Sequence, residues 1–186
     1  MISFKIIFNS FLLVSLTEMG DKTQLLAFVL AGRFKKPWTI FAGIFVATVL
    51  NHVLAASFGV FVANSISPLF LKRILAAIFL IFAVWILIPD KDEGLSETRT
   101  WGPFATTVVT FFLAEMGDKT QIATVTLAAK YHNLLLVTIG TTIGMMLTDG
   151  LAVFFGDKMT KYIPMKWVHI SAAVLYIIFA VGILLS

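Results

Sequence analysis

The sequence predicts an all-α, polytopic membrane protein with six transmembrane helices, arranged as two inverted-topology three-helix repeats. Its composition is the first reason, since 59% of its 186 residues are hydrophobic and only 13% are charged. A soluble domain of this length could not bury so much apolar surface, because its surface is large relative to its volume. The other two reasons are a series of long apolar segments and an internal repeat. Together they indicate that the lipid bilayer surrounds this chain.

The apolar segments are long enough to cross a bilayer, since about 20 helical residues at about 1.5 Å each cover about 30 Å of hydrocarbon. A helix also satisfies its own backbone polar groups within the span. The first and fourth segments are longer than a span requires and have charged residues in their interiors, so we expect them to be tilted or locally broken. The segments are residues 4–31, 38–62, 69–88, 103–129, 134–156 and 165–185.

A seven-residue motif, EMGDKTQ, occurs at Glu18–Gln24 and again, letter for letter, at Glu115–Gln121. The offset between the copies is 97 residues (115 minus 18), and it holds without gaps to the end of the chain. It aligns further residues as well, such as Gly43 with Gly140. Similarity at a fixed offset indicates an internal duplication.

The duplication predicts one integrated membrane domain with two repeats, residues 1–88 and 103–186, joined by a polar linker at 89–102. Each repeat has three spans. Because three is odd, the second repeat must enter the membrane from the opposite side. The result is an inverted repeat with a pseudo-two-fold axis in the membrane plane, which is typical of secondary transporters. Parallel repeats would need five or seven spans, and the sequence has no seventh apolar run.

Lysine and arginine residues outside the two motifs determine the predicted orientation. Eight lie in the loops after the first, third and fifth spans: Arg33, Lys35, Lys36, Lys91, Arg99, Lys158, Lys161 and Lys166. Four lie on the opposite side: Lys5, Lys72, Arg73 and Lys130. Since positive residues favour the cytoplasm, we expect the central loop in the cytoplasm and both termini outside.

Composition also excludes several functional classes. The sequence has no cysteine, which excludes a disulfide framework, a thiolate metal site and a catalytic cysteine. The formal net charge is +4, but the basic residues lie between apolar runs, where they determine topology and do not indicate nucleic-acid binding. The lipid bilayer is therefore the expected partner of the chain, and nucleic acid is not.

Each copy of the motif has two carboxylates three residues apart, Glu18 with Asp21 and Glu115 with Asp118. On a continuous helix this spacing places both carboxylates on one face. Gly20 lies between the first two acids and lowers the helix propensity there, as its counterpart does in the second copy. A broken turn at this glycine would expose backbone carbonyls as further ligands. Each motif is therefore expected to present a group of oxygen ligands.

The motifs lie near the middle of their apolar segments, where each ionisable group costs about 2.5–3.5 kcal/mol to insert. Four acids and two lysines, Lys22 and Lys119, must therefore face each other or water. Lys22 follows Glu18 by four residues and can reach it, and Lys119 has the same relation to Glu115. Inverted symmetry would bring both motifs to the membrane midplane. The two lysines are candidates for charge balance and proton coupling.

The converging carboxylates would form a divalent-cation site. Four carboxylates and two ammonium groups leave a charge of about minus two if all are ionised, which suits one divalent ion. Carboxylate oxygens are hard ligands that select Mg²⁺, Ca²⁺ or Mn²⁺ over Zn²⁺ or Cu²⁺, and Gln24 and Gln121 would add neutral oxygens. When the ion leaves, the crowded acids would take up protons. Cation/proton antiport is therefore the mechanistic hypothesis.

Two simpler interpretations of the motif stay open at this point. The lysines could neutralise the acids of a kinked helix merely to permit insertion into the bilayer. The motif could instead lie in an aqueous loop between two short segments, although the flanking apolar runs are each too short to span. Two identical copies at inverted positions favour the cation site over either interpretation.

Further polar residues lie inside the predicted spans. Asp149, in the fifth span, aligns with His52 in the second, and Asn51 aligns with Thr148. An intramembrane aspartate indicates function by default, so Asp149 and Asn51 are candidates to support the metal, and Asp149 with His52 could relay protons. Interhelical hydrogen bonding near a span end is the alternative role.

The pattern Glu-x-Gly-Asp-Lys/Arg-Thr/Ser, once in each half of a six-span chain, resembles the Gdt family of cation transporters in the calcium/cation antiporter group. The similarity covers essentially the whole chain, and neither motif departs from the pattern. Golgi and chloroplast members handle Ca²⁺ and Mn²⁺, and bacterial members include a manganese exporter. This short chain resembles the bacterial members, which implies the inner (plasma) membrane. The resemblance implies these metal-binding positions and nearby polar groups: Glu18, Asp21, Glu115 and Asp118, with Thr23, Gln24, Thr120 and Gln121.

The leading functional prediction is a secondary active transporter, not an enzyme, that exports Mn²⁺ in exchange for protons and uses no catalytic cofactor. Exchange of Ca²⁺ or of a broad range of divalent ions is the alternative within this class, because oxygen ligands alone do not separate these ions. A divalent-cation channel is the alternative from another class. An intramembrane enzyme would need a nucleophile–base arrangement, which the sequence does not show. The protein could act as a monomer or as a homodimer.

Overall fold

A computed structural model describes residues 2–87, 101–156 and 165–185, without the side chains of Met165, Val168 and His169. Within these ranges the chain is all α-helical, as the sequence predicts, and most of the predicted linker 89–102 lies outside them. The helices are α1 (Ile2–Glu18), α2 (Lys22–Phe34), α3 (Pro37–Ser65), α4 (Pro68–Trp85), α5 (Pro103–Glu115), α6 (Lys119–Tyr131), α7 (Leu134–Phe155) and α8 (Met165–Leu184).

The first and fourth predicted segments are each broken at their motif, so the expected local break is confirmed. Helices α1 and α2 meet at an angle of 74°, and α5 and α6 are separated at the aligned position. The glycines at the two breaks, Gly20 and Gly117, have φ values of 85° and 79°. This left-handed conformation favours glycine, because a Cβ would clash with the backbone.

The break also corrects one expectation about the acids. A continuous helix would have placed Glu18 and Asp21 on one face, but Glu18 is the last residue of α1 and Asp21 is the N-cap of α2. Asp118 is likewise the N-cap of α6. The positive φ of the intervening glycine ends the first helix, so each motif presents a helix C-terminus and a helix N-terminus. Negative side chains are favourable at helix N-termini, because the helix dipole is positive there.

Three of the described helices, α3, α4 and α7, are long and apolar enough to cross a membrane. The bent pair α1–α2 makes a fourth span if it is counted as one, and α5 and the part of α8 at Ile170–Leu184 are shorter apolar helices. Large apolar side chains are exposed on the outside of α3, where Leu54, Phe58 and Phe61 are 57%, 58% and 67% exposed. Such a surface is typical of a multi-pass membrane protein.

Each half of the described chain packs mainly against the other half. Helix α1 packs on α7 and α5 packs on α3; α2 contacts α7 and α6 contacts α3; α4 packs along α8. With the 97-residue offset, α1 aligns with α5, α2 with α6, α3 with α7 and α4 with α8. The α1–α7 contact therefore corresponds to α5–α3, the α2–α7 contact corresponds to α6–α3, and the α4–α8 contact joins two aligned helices. The helix packing therefore follows the same duplication as the sequence.

Two aligned glycines make aligned close approaches between helices. A Cβ added to Gly43 would lie 2.8 Å from Cβ of Thr107, and one added to Gly140 would lie 2.7 Å from Cβ of Ser10. Ser10 and Thr107 are themselves 97 residues apart. Small residues allow helix backbones to approach closely in membrane proteins. These contacts hold α1 against α7 and α5 against α3, and so position the ends of α1 and α5 that carry the motif glutamates.

Candidate functional site

Two contacts join the first motif to the second. The hydroxyl of Thr120 donates a hydrogen bond to Oε1 of Glu18, and Nζ of Lys22 lies 3.3 Å from Oδ2 of Asp118. Both contacts cross between residues that are about a hundred positions apart in the chain. The described structure therefore places the two motifs side by side inside the helix bundle.

The glutamine of each motif stabilises its own broken turn. Oε1 of Gln24 accepts a hydrogen bond from the backbone N–H of Gly20 at 3.0 Å, and Oε1 of Gln121 accepts one from that of Gly117 at 2.7 Å. These oxygens satisfy backbone donors that the interruption of the helix leaves exposed. In this arrangement the glutamine oxygens are engaged by the backbone.

The amide nitrogens of the same glutamines reach into the other half of the chain. Nε2 of Gln24 donates to the backbone oxygen of Thr148 at 3.0 Å, and Nε2 of Gln121 lies 3.5 Å from Oδ1 of Asn51. Thr148 and Asn51 are aligned by the repeat. Asn51 also donates to the backbone oxygen of Phe112 at 3.1 Å. The first break is thus connected to α7 and the second to α3.

The two motif glutamates are buried but have different partners. Glu18 is 0% exposed, and its carboxylate accepts hydrogen bonds from Thr120 and, at 2.9 Å, from Thr23. Glu115 is 2% exposed, and its Oε1 has no hydrogen-bond partner in the part of the chain that the structure describes. The threonine hydroxyls of both motifs therefore donate hydrogen bonds to Glu18.

The two motif lysines also differ. The side chain of Lys22 is 39% exposed and pairs with Asp118. The sequence had suggested that it could reach Glu18, but the break between Glu18 and Lys22 removes the helical turn that would stack them. Lys119 is only 4% exposed, and its ammonium lies 5.7 Å from the ring centroid of Trp85. A cation over a tryptophan face is stabilised by the ring quadrupole.

Asp149 lies with the motif carboxylates. It is 0% exposed, and neither of its carboxylate oxygens has a hydrogen-bond partner among the described residues. Its charge acts on both Glu18 and Glu115. His52, its aligned counterpart, is 1% exposed and has Nδ1 3.4 Å from the hydroxyl of Thr142. The described contacts of these two residues do not connect them to each other.

The sequence did not indicate two aromatic residues near the site. Trp85 covers Lys119, and the Tyr176 hydroxyl lies 2.8 Å from that of Thr17, the residue before Glu18. Tyr176 is 1% exposed, and its repeat counterpart is Phe79. A tyrosine within an apolar span, where the other copy has phenylalanine, was the signal that could have found it.

The carboxylates do not form a complete ligand set as they lie. Within the described ranges, no group of three or more His, Asp or Glu side chains is arranged so that it could hold a metal ion. Two of the motif carboxylates instead contact protein donors, with threonine hydroxyls at Glu18 and an ammonium group at Asp118. A bound divalent cation would therefore replace those donors and draw the carboxylates together.

The chain matches the family model "Divalent cation/proton antiporter GDT1" over residues 6–94 and 103–186. It is 46% identical over 170 residues to a Vibrio cholerae protein named "Putative manganese exporter", with 91% of this chain and 85% of that protein covered. It is 28% identical to the Arabidopsis thaliana "GDT1-like protein 3", with 96% and 70% covered. No solved structure matches the chain. The family match extends over both halves, and the chain belongs to the GDT1 family of divalent cation/proton antiporters.

Proposed function

We propose that this protein exports Mn²⁺ from the cytoplasm in exchange for protons, through a site formed by Glu18, Asp21, Glu115 and Asp118. The observation that carries the proposal is the contact between the two motifs, through Glu18 with Thr120 and through Lys22 with Asp118. The family description supports exchange of a divalent cation for protons. The name of the Vibrio cholerae relative supports manganese and export.

The buried charges provide a reason for exchange. The four motif carboxylates and Asp149 are each no more than 7% exposed, and they act on one another electrostatically. Carboxylates this close in a low-dielectric interior cannot all stay ionised without compensating positive charge. A divalent cation or protons can supply that charge, but not both at once. Binding one therefore releases the other, which is the requirement for antiport.

The proposed ligand set consists of oxygens. The motif carboxylates would bind the cation directly, and the hydroxyls of Thr23 and Thr120, which now contact Glu18, would turn towards it. Asn51 and Asp149 are the supporting candidates from the long helices of the two halves. Mn²⁺ and Ca²⁺ both accept such ligands. Exchange of Ca²⁺ or of several divalent ions is therefore the second candidate function.

The proposed topology is that of two inverted three-helix repeats, with both termini outside and the linker 89–102 in the cytoplasm. The aligned close approaches of Gly43 to Thr107 and of Gly140 to Ser10 are what a pseudo-two-fold axis would produce. In such a transporter one half moves relative to the other, so that the site faces one side of the membrane at a time. The contacts across the motifs lie where that movement would act.

Purified protein in liposomes tests the proposal. An imposed pH gradient should drive Mn²⁺ uptake, and uptake should saturate and move protons in the opposite direction. Glu18→Gln should abolish this exchange, whereas Ser57→Ala, which removes an exposed hydroxyl whose described hydrogen bond lies within its own helix, should not. Unitary currents in a bilayer would indicate a channel instead. Near-normal exchange by the Glu18→Gln variant would rule out the proposed site.

Adding Ca²⁺ or Mg²⁺ to the same liposomes measures ion choice. For a manganese exporter, a large excess of either ion should leave Mn²⁺ uptake largely unchanged. Equal competition by Ca²⁺ would favour the broader antiporter. The same liposomes without a pH gradient provide the baseline for both measurements.

A further inference from the structure

One end of the helix bundle has positive side chains and no described carboxylate. Lys72 lies near the start of α4, Lys130 lies at the end of α6, and the charge of Lys5 on α1 acts on Lys130. The described ranges contain five acidic residues, which are the four motif acids and Asp149 in the site. Among the described residues, the cations at this end therefore have no acidic partner.

A cavity of about 240 Å³ lies between these cations. Its polar lining consists of Lys72, Lys130, Tyr131 and His132. The rest of the wall is apolar and includes Ala63, Leu71, Leu75 and Ile183. Because His132 is exposed, the cavity is open at its rim. A cavity with ammonium groups beside an apolar wall is suited to a ligand that is both anionic and apolar.

Two aromatic rings hold the side chain of Lys130 in this wall. It is half-buried, with Nζ 4.0 Å from the ring centroid of Phe179 and 5.3 Å from that of Tyr131. No ion pair of Lys130 occurs among the described residues. Stacked on two rings, the ammonium is held in position with donors left for a ligand.

Lys130 has a second explanation, which is stabilisation of the α6 C-terminus through the helix dipole. Arg33 has that role at the aligned position, in the last turn of α2, and it also lies over a neighbouring ring, that of Phe34 at 5.6 Å. Arg33, however, is exposed on the protein surface, whereas Lys130 is half-buried. The difference in burial indicates that the dipole alone does not account for the position of Lys130. It also makes Arg33 a matched control.

We propose that this cavity binds the headgroup phosphate of an anionic phospholipid, with Lys72, Lys130 and His132 around the phosphate and the glycerol end against the apolar wall. Leu69 and Phe70, next to the cavity on α4, are 64% and 57% exposed and provide a surface for an acyl chain. A free inorganic phosphate would leave the apolar wall in contact with water. The proposal does not depend on which ion is transported.

Native mass spectrometry tests this proposal by measuring which lipid stays bound to the protein. The protein is released from detergent after phosphatidylglycerol or phosphatidylcholine of equal chain length has been added. The wild-type protein should retain phosphatidylglycerol in preference to phosphatidylcholine. The double variant Lys72→Gln/Lys130→Gln should retain it at least about tenfold less well, since each lysine near an anionic lipid contributes about fivefold. Arg33→Gln should behave like the wild-type protein, because it removes the aligned charge without altering the cavity.

A cavity-filling variant, Ala63→Phe, separates the cavity from the charges. It keeps every lysine and should still lose the lipid. It therefore tests the cavity even if the double variant does not fold. Equal retention of both lipids by the wild-type protein would overturn the proposal. So would undiminished retention of phosphatidylglycerol by the double variant or by Ala63→Phe. Displacement of the lipid by millimolar inorganic phosphate would assign the site to the free anion and would also overturn it.

Discussion

The ammonium of Lys22 lies 3.3 Å from the carboxylate of Asp118 and joins the first motif to the second. The aligned lysine, Lys119, is instead buried against Trp85, whose repeat counterpart is Gly182. Two identical motifs therefore have different surroundings in one conformation. If the two halves form the inverted repeat proposed above, the two lysines would exchange these surroundings when the site turns to the other side of the membrane.

Replacing Lys22 with glutamine should change transport more than folding. The side chain is 39% exposed, so loss of the ion pair should lower the free energy of unfolding by no more than about 1 kcal/mol. The site would gain net negative charge, so the cation should bind more tightly and leave more slowly. We expect both the KM for Mn²⁺ and the maximal rate to fall in liposomes, whereas Lys22→Arg should resemble the wild-type protein. Loss of folded protein would instead support a lysine that only neutralises a kinked helix.

Replacing Thr120 with valine removes the hydroxyl that joins the second motif to Glu18. Hydrogen bonds to charged groups contribute about 1.5–3 kcal/mol, so the free energy of unfolding in detergent should fall by about that amount, and Mn²⁺ export should slow. Thr126→Val is the matched control, since the described hydrogen bond of the Thr126 hydroxyl is to the backbone oxygen of Ile122 in its own helix, and the aligned residue is Val29. Equal effects of the two substitutions would contradict a specific role for Thr120.

The duplication and the helix breaks were predictable from the sequence, but the partners of the motif residues were not. Gly20 and Gly117 gave a local signal, because glycine lowers helix propensity and tolerates a positive φ. Both copies of the motif have the same seven letters, so no letter could indicate that Glu18 receives both threonine hydroxyls. That choice depends on how the halves pack. The capping of each turn by its glutamine was missed because the oxygens of Gln24 and Gln121 were expected to face a metal ion, whereas they accept hydrogen bonds from the backbone of the turn.

Replacing Asp149 with asparagine removes one negative charge with little change in shape. Because this charge acts on both motif glutamates, the variant should bind Mn²⁺ more weakly and raise the KM by about tenfold, or about 1.4 kcal/mol. His52→Gln alters the aligned position, where the described contact is with Thr142, and should leave the KM nearly unchanged. An unaltered KM for Asp149→Asn would remove Asp149 from the site.

Replacing Gly140 with alanine should destabilise the protein. The added Cβ would lie 2.5 Å from the backbone oxygen of Ile7 and 2.7 Å from Cβ of Ser10, so α1 and α7 would have to separate. Overpacking of this kind costs about 1–3 kcal/mol. Gly182→Ala is the control, because no atom of the described residues lies within 4 Å of its added Cβ and alanine is the better helix former. Thermal unfolding in detergent compares them, and equal stability of the two variants would contradict the close packing of α1 and α7.

Single cysteines report the orientation of the chain, which has no cysteine of its own. Ser96→Cys lies in the linker 89–102, and Ser67→Cys lies between α3 and α4 at the opposite end of α4. If the loops with more positive residues face the cytoplasm, a membrane-impermeant maleimide added to intact cells should label position 67 and should reach position 96 only after the membrane is opened. The reverse pattern would invert the proposed topology, and with it the direction of transport. Labelling of both positions in intact cells would place them on the same side of the membrane, which contradicts a single span, α4, between them.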